Sequence, residues 1–417
     1  MNLKMTRSER NWVLYDVGNS AFTMLIATIM PIYFNYLAEN AGLSSVEYLA
    51  YWGYAASGAT FIVAILGPVF GTLADTKGYK KPLFLLALAV GSIGCISLGF
   101  ARQWLIFLIV YIIAKVGYSG SLIIYDSMLS DVTSGDRMDL ISSSGYAWGY
   151  IGSCIPFVAS LLIVLGADKL GLSMVTAMAI AFAITAAWWL LMTVPLLKSY
   201  RQKYYVEKRA RAIRESFSRI GRTFANIKNE KRIFIFLLAF FFYIDGVYTI
   251  IDMATAYGAA LGLDTTGLLL ALLLTQIVAF PCCIIFGVLA KKYSAASLIT
   301  ICIAAYLGIA VFAMFLTTQT QFWILAVLVG MFQGGVQALS RSYFTKIIPA
   351  EQSGEYFGLL DICGKGASFV GTAIVSITSQ LTGDISKGVG MIAVLFVIGL
   401  FLFRYAVKLN AGVVEKK

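Results

Sequence analysis

Apolar residues run through this chain in long, nearly continuous stretches separated by short polar connections. Twelve stretches are long enough to cross a bilayer as helices: residues 11–38, 49–74, 82–101, 104–130, 141–166, 172–197, 233–258, 266–290, 297–317, 321–347, 355–381 and 388–409. Helix is the assignment, because backbone groups in lipid must be paired within their own segment or within a closed barrel. The runs are too long and too continuous for barrel strands. The pattern predicts an all-α membrane protein. One connection is long, and it parts the chain into six segments in 1–197 and six in 233–417, with 198–232 between them.

Composition agrees with this reading and narrows the chemistry. Hydrophobic residues make up 59% of the 417 and charged residues only 13%, which excludes an ordinary soluble globule. No histidine is present, so the commonest zinc ligand and the usual near-neutral acid/base are both missing. Neither a metal site nor a cofactor is expected. With no nucleophile–base pair in view, neither is an enzyme. All six cysteines (Cys95, Cys154, Cys282, Cys283, Cys302, Cys363) lie in apolar stretches and read as small buried hydrophobes. Lys4, Arg7, Glu9 and Arg10 precede a long apolar span, which is not the pattern of a cleaved signal peptide.

The formal charge of +11 has an address. Residues 198–232 hold twelve Lys or Arg against three Glu, most of the excess. Val206, Ala210, Ile213, Phe217, Ile220, Phe224 and Ile227 recur at spacings of four and three, one apolar stripe on an otherwise basic helix. Such a helix lies on an anionic lipid leaflet, or packs its stripe on the protein's own helix ends. Nucleic acid is not expected as a partner. Positive charge in the connections (the N-terminal segment, 75–81, the linker, Lys291, Lys292, Lys346, Lys408) falls on one side of the alternating segments. That side is expected to be cytoplasmic, with both termini. The expected setting is a bacterial cytoplasmic membrane, and the expected state a monomer. Trp52, Trp104 and Trp323 sit near the opposite ends, as interfacial aromatics do.

The two halves repeat one another. Gly71-Thr72-Leu73-Ala74-Asp75-Thr76-Lys77-Gly78-Tyr79-Lys80-Lys81 follows segment 2, and Gly287-Val288-Leu289-Ala290-Lys291-Lys292-Tyr293 follows segment 8, offset by 216. Segments 4 and 10 align with an offset of 215, Gly120 on Gly335. Segments 5 and 11 open with Ser144-Gly145-x-x-x-Gly149 and Ser353-Gly354-x-x-x-Gly358. Repetition of this kind marks transporters built from two bundles with the site between them. Three aligned positions are acidic in the first half and basic in the second: Asp75/Lys291, Asp126/Arg341 and Asp131/Lys346. Either they pair across the bundles as a cytoplasmic gate, or each satisfies a local helix end.

Charges at membrane depth are costly and therefore line cavities or have partners. Asp16, Lys115, Asp245, Asp252, Asp361 and Lys365 qualify. Asp16 and Asp245 hold comparable places in segments 1 and 7 and are candidate coupling or substrate-amine carboxylates. Asp361 and Lys365 are spaced to neutralise one another. Lys115 has no local acid, and Asp245 is its expected partner, with Asp252 nearer the outer surface. Asn19, Tyr118, Tyr125, Gln333 and Gln337 are polar candidates for the same cavity, or bonds between helices.

The 71–81 motif resembles the G-x-L-a-D-r-x-G-r-[KR] signature of the major facilitator superfamily. Tyr15-Asp16-Val17-Gly18-Asn19-Ser20-Ala21-Phe22 resembles the Y-D-W-A-N-S-A-F element of its "unknown major facilitator" branch, which includes the fungal autophagy-linked vacuolar amino-acid effluxers. Ser144 to Gly152, Asp245-Gly246 and Gln333 to Phe344 resemble that branch's S-G-x-A-x-G-Y-x-G, D-G and Q-G-G-x-Q-A-L-S-R-S-Y-F elements. Val17-Gly18 and Lys365 depart from it. The resemblance implies two pseudo-symmetric six-helix bundles in the major facilitator fold, and a secondary transporter working by alternating access. It points to a small polar or zwitterionic, amino-acid-like solute, coupled to protons or sodium. Export or flipping of an amphipathic lipid or drug, and a non-transporting receptor or scaffold, are the competing readings.

Overall fold

A computed structural model describes residues 4–207 and 230–414. The basic amphipathic helix expected from 206 to 227 lies outside the described residues except for its first two positions. Each expected segment is helical, with ends within five residues of those read from hydropathy. In chain order the helices are α1 Arg7–Ala27, α2 Ile29–Asn40, α3 Ser45–Ala74, α4 Lys80–Leu98, α5 Trp104–Ser127, α6 Leu129–Val132, α7 Met138–Leu165 and α8 Met174–Ser199. The second half holds α9 Lys231–Ala260, α10 Thr265–Leu289, α11 Ala295–Met314, α12 Gln319–Ile347, α13 Ser353–Thr382, α14 Ile385–Gly390 and α15 Ile392–Val414.

Three segments are divided. The first breaks at Thr28, three residues before Pro31, whose missing N–H would have served Ala27. Thr28 Oγ1 donates to the Met24 carbonyl at 2.5 Å and so shields the break. The fourth breaks at Met128, and the last near Met391. Helix ends are closed by side chains. Thr6 with Glu9, Ser44 with Glu47 and Thr318 with Gln321 form reciprocal capping boxes. The two halves share a turn: Gly42 and Gly262 both adopt φ of +76°, and the next residues, Leu43 and Leu263, donate back to Ala38 and Gly258. That is a Schellman ending followed by a Ser or Asp cap, repeated in each half.

Each half buries its own apolar core, one built on Trp12, Phe34, Phe107 and Trp189, the other on Phe236, Tyr243, Phe344 and Phe396. Between the halves, α3 crosses α13 and α7 crosses α10, with α12 beside α7. Glycine sets the spacing of both crossings. A Cβ on Gly71 would stand 2.0 Å from the Gly354 carbonyl oxygen, and one on Gly287 would stand 2.7 Å from Ser143 Cβ. These crossings lie at the end of the molecule from which residues 200–207 emerge, here termed the linker face.

Substituting Gly71 by valine forces α3 and α13 apart and should lower unfolding stability in detergent by about 1–3 kcal/mol. Gly308→Ala, where nothing lies within 4 Å of the added carbon, should not. Equal effects of the two changes would refute the tight crossing.

Candidate functional site

The centre of the interface is Arg341, on α12 about two turns from the linker face, with 4% of its side chain exposed. Its Nη1 donates to Asp126 Oδ1 of α5 at 2.9 Å, and its Nη2 to Asp16 Oδ2 of α1 at 3.2 Å. The remaining donors meet α7: Nε bonds Ser142 Oγ at 2.9 Å, and Nη2 the Ser142 carbonyl at 2.9 Å. Trp12, Tyr125 and Tyr146 surround the guanidinium, with ring centroids 4.7, 5.7 and 4.4 Å away. Trp12 is locked in turn, its Nε1 donating to the Tyr125 carbonyl at 3.2 Å. Room for the cluster comes from Gly145, where a Cβ would lie 2.3 Å from Asp16 Oδ2 and 3.0 Å from Arg341 Nη2. Asn19 Nδ2 donates to the other Asp16 oxygen at 3.2 Å.

Of the three expected charge pairs, Asp126–Arg341 is therefore present as a direct contact. The other two pairs do not form, and Asp75 follows the alternative reading, in which the acid satisfies a helix end. Asp75 does not meet Lys291; it accepts from the backbone N–H groups of Gly354 and Glu355 at 2.7 and 3.0 Å. Because α13 begins at Ser353, those two donors have no intrahelical partner, and a carboxylate suits a helix N-terminus. At the matching crossing α7 begins at Met138, seven residues before Gly145, so no free donors stand there and Lys291 is exposed. Asp131 does not meet Lys346 either. It pairs with Lys80 at 3.3 Å, takes the Tyr200 hydroxyl, and accepts from the N–H groups of Lys203 and Tyr204 at 2.9 Å each. Lys346 reaches Asp139 on α7 at 2.6 Å, and Ser342 Oγ reaches the same carboxylate at 2.6 Å. The break at Met128 explains this: the offset of 215 holds for Asp126 before it and fails for Asp131 after it.

The linker is clasped by the first half. Val206 exchanges backbone hydrogen bonds with the Asp75 carbonyl and the Lys77 N–H, and Gln202 bridges the Ala74 carbonyl and the Gly78 N–H. Lys80, fully buried, also donates to Ser353 Oγ of the other half at 3.2 Å. Outside the spans, Arg137 is held protonated more firmly than an ordinary arginine, chiefly by its hydrogen bond to Glu9.

Away from the linker face the halves separate. Among the described residues, polar contacts between them reduce there to Tyr150 Oη on Gln337 Oε1 at 3.2 Å and Gln276 Nε2 on Met24 Sδ at 3.5 Å. Lys115 on α5 does not meet Asp245. Its electrostatic counterpart is Asp252 of α9, with no ion pair closed between them, and its ammonium stands 5.6 Å from the Tyr111 ring. Asp252 is exposed although it lies two turns inside α9, and it acts on Lys115 and Tyr111 of the other half, so it lines the opening between them. Asp245, two turns deeper, is covered by α13: Gly371 N–H donates to its Oδ1 at 2.9 Å, and a Cβ on Gly371 would lie 2.5 Å from that oxygen. Tyr118 Oη bonds Thr23 Oγ1 at 2.6 Å, Tyr125 is buried in the Arg341 cage, and Gln333 is buried on α12. Asp361 is half-buried on α13, near enough to act on Asp126, Tyr118 and Tyr248; the Lys365 side chain lies outside the described residues. The sequence pattern does not mark Trp12, Asp139, Ser142 or Tyr248, and it marks Tyr146 and Ser353 only as members of the glycine motifs that open segments 5 and 11.

Two helical bundles, glycine-seated crossings at one end and charged groups between the bundles define a membrane transporter of the major facilitator fold. The chain matches the sequence profile of the family described as "Vacuole effluxer Atg22 like" over residues 5–136 and 130–417, and it belongs to that family. It is 42% identical over 410 residues to a Bacillus subtilis protein described as an uncharacterized MFS-type transporter, YxiO, spanning 97% of this chain and 96% of that one. Autophagy-related protein 22 of Cryptococcus neoformans is 28% identical over 307 residues, 68% of this chain and 52% of the fungal one. Among solved structures, the transporter FucP in its outward conformation superposes with a TM-score of 0.72 at 13% identity, covering 96% of this chain and 97% of that one. The human organic anion transporter MFSD10 gives 0.69, also at 13% identity, over 96% and 100%.

A cycle on the central cluster tests its geometry. Arg341→Ala and Asp16→Ala should each destabilise the protein by about 3 kcal/mol or more in reversible mixed-micelle unfolding, because each leaves a buried ion cluster with charge that is no longer balanced. The double variant should lose much less than the sum. Additive losses would contradict a direct pair.

Proposed function

We propose that this protein is a secondary transporter that carries a small zwitterionic, amino-acid-like solute by alternating access, driven by a proton or sodium gradient. The observation that carries this reading is the asymmetry of the interface. Arg341 ties α1, α5, α7 and α12 together at the linker face, while at the other face an ammonium and a carboxylate, Lys115 and Asp252, stand on opposite walls with no ion pair between them. A solute with one carboxylate and one ammonium would satisfy both. Asp126, which keeps 25% of its side chain exposed beside Arg341, is the deeper contact for the same amine. Solute and ion binding would weaken the hold of Asp126 and Asp16 on Arg341 and release the linker face. The excess of positive charge on the linker face supports placing it in the cytoplasm of a bacterial cell.

Uptake by the purified protein in liposomes should be screened across amino acids, peptides, nucleosides and lipids, with imposed proton and sodium gradients. A zwitterionic solute should accumulate, and Lys115→Gln and Asp252→Asn should each raise its half-saturating concentration about tenfold to a hundredfold, the worth of a charge-assisted hydrogen bond. Transfer of labelled lipid between leaflets without solute flux would overturn the reading.

A further inference from the structure

Asp245 sits at the crossing of α9 and α13, and its side chain is fully buried. Its Oδ1 accepts from two neutral donors, the Gly371 N–H at 2.9 Å and Thr249 Oγ1 at 3.3 Å. Its Oδ2 has no hydrogen-bond partner. The shape is deliberate at one point: a Cβ on Gly371 would lie 2.1 Å from Thr249 Oγ1 and 2.5 Å from Asp245 Oδ1, so only glycine lets the α13 backbone close over the carboxyl. The titratable groups near it on its own helix are Tyr243, Tyr248 and Asp252. The helices packed on α9 bring Asp361 from α13, Arg404, Tyr405 and Lys408 from α15, Cys302 and Tyr306 from α11, and Tyr343 and Arg341 from α12. None of these acts on the Asp245 carboxyl; burial, the Gly371 N–H and the Thr249 hydroxyl are what act on it. The Lys365 side chain, six residues from Gly371, lies outside the described residues.

An ionised carboxylate in such a place is costly, by several kcal/mol even after relaxation. A carboxylate beside a guanidinium, as Asp16 and Asp126 are beside Arg341, has part of that penalty offset. Asp245 has no such counter-charge among the described residues. Two ways of neutralising it remain, a bound metal cation or a proton. A sodium ion needs several oxygen ligands to replace its hydration shell, and the side chains in contact here, the Asp245 carboxylate and the Thr249 hydroxyl, are too few. A proton needs a single lone pair, and Oδ2 has one free.

We propose that Asp245 is a proton-binding site of the second bundle: in the state with the linker face closed it is the neutral carboxylic acid, with the proton on Oδ2. This deepens the transport reading and rests on it for its role, since it makes the driving ion a proton and assigns its carrier to a place separate from the Lys115–Asp252 opening. Release of the proton requires water to reach Oδ2, which means separation of α9 from α13 at Gly371. Proton exchange is thereby tied to the same rearrangement of the bundles that moves the solute. Asp16 differs in that both its oxygens already have partners, Oδ2 on Arg341 and Oδ1 on Asn19, so it is not assigned as the carrier.

Infrared difference spectroscopy of the purified protein in liposomes at neutral pH, without any solute, reads this directly. The wild type should show a protonated-carboxyl C=O stretch that shifts in heavy water. Asp245→Asn, near-isosteric and checked for an unchanged melting temperature, should lose that band. Asp16→Asn should keep it, and Thr249→Val should shift it without removing it. A wild-type spectrum without the band, or a band that survives in Asp245→Asn and disappears in Asp126→Asn or Asp361→Asn, would overturn the proposal. If Asp245→Asn fails to fold, a band unmoved by Thr249→Val does the same. The measurement needs no transported substrate, so failure of the uptake screen and failure of this site are separate results.

Discussion

A guanidinium buried at membrane depth governs the arrangement of this protein. Desolvating Arg341 alone would be prohibitive, so its surroundings are built to compensate: two carboxylates from α1 and α5, a serine hydroxyl and carbonyl from α7, and three aromatic faces. Arg341 belongs to one half and every one of those partners to the other. The halves cannot part at the linker face without stranding either the cation or the two anions. Under the proposed function the contact acts as an all-or-none lock, the kind of bistable element through which a bound solute can bias a whole-molecule equilibrium.

The lock works only because the helices beneath it come close. Gly145, Gly149 and Gly152 seat α1 on α7, with would-be Cβ positions 2.3–2.7 Å from Asp16, Ser20 and Val17. Gly71, Gly354 and Gly358 do the same for α3 on α13. Close approach brings the Asp75 carboxylate to the open N-terminus of α13, and Lys80 to Ser353. The start of the linker is fastened to the same corner through Asp131 and the Thr76–Val206 bridge. Helix-end chemistry, glycine packing and the linker therefore all reinforce one closed face. Among the described residues the opposite face has no such contacts between the halves, and in the proposed function Lys115 and Asp252 receive the solute there.

Much of this was legible in the residues. Long apolar runs located the helices because lipid admits only helices and closed barrels and the runs are too long for barrel strands, and the repeat offsets matched the two halves. The Asp126–Arg341 contact followed from the same offset because segments 4 and 10 are both unbroken up to those positions. What the residues did not disclose depended on tertiary detail. The turn after Met128 sends Asp131 back into its own half. The early start of α7 removes the free donors that would have called for an acid at Lys291. Lys115 has Asp252 and not Asp245 as its electrostatic counterpart because the α13 backbone covers the deeper carboxylate and leaves the shallower one open. Asp139 and Ser142 gave no sign in advance, since a polar residue at a helix start is ordinary until the neighbouring helix is known.

The claim that Arg341 holds the linker face closed is tested most directly by a distance across that face. Spin labels on cysteines replacing Lys81 and Lys291, both exposed and one in each half, report the separation in liposomes when native cysteines are removed. The wild-type arrangement should give one dominant short distance, and Arg341→Ala should add a longer population at its expense. An unchanged distribution in Arg341→Ala would show that the face is closed by something else.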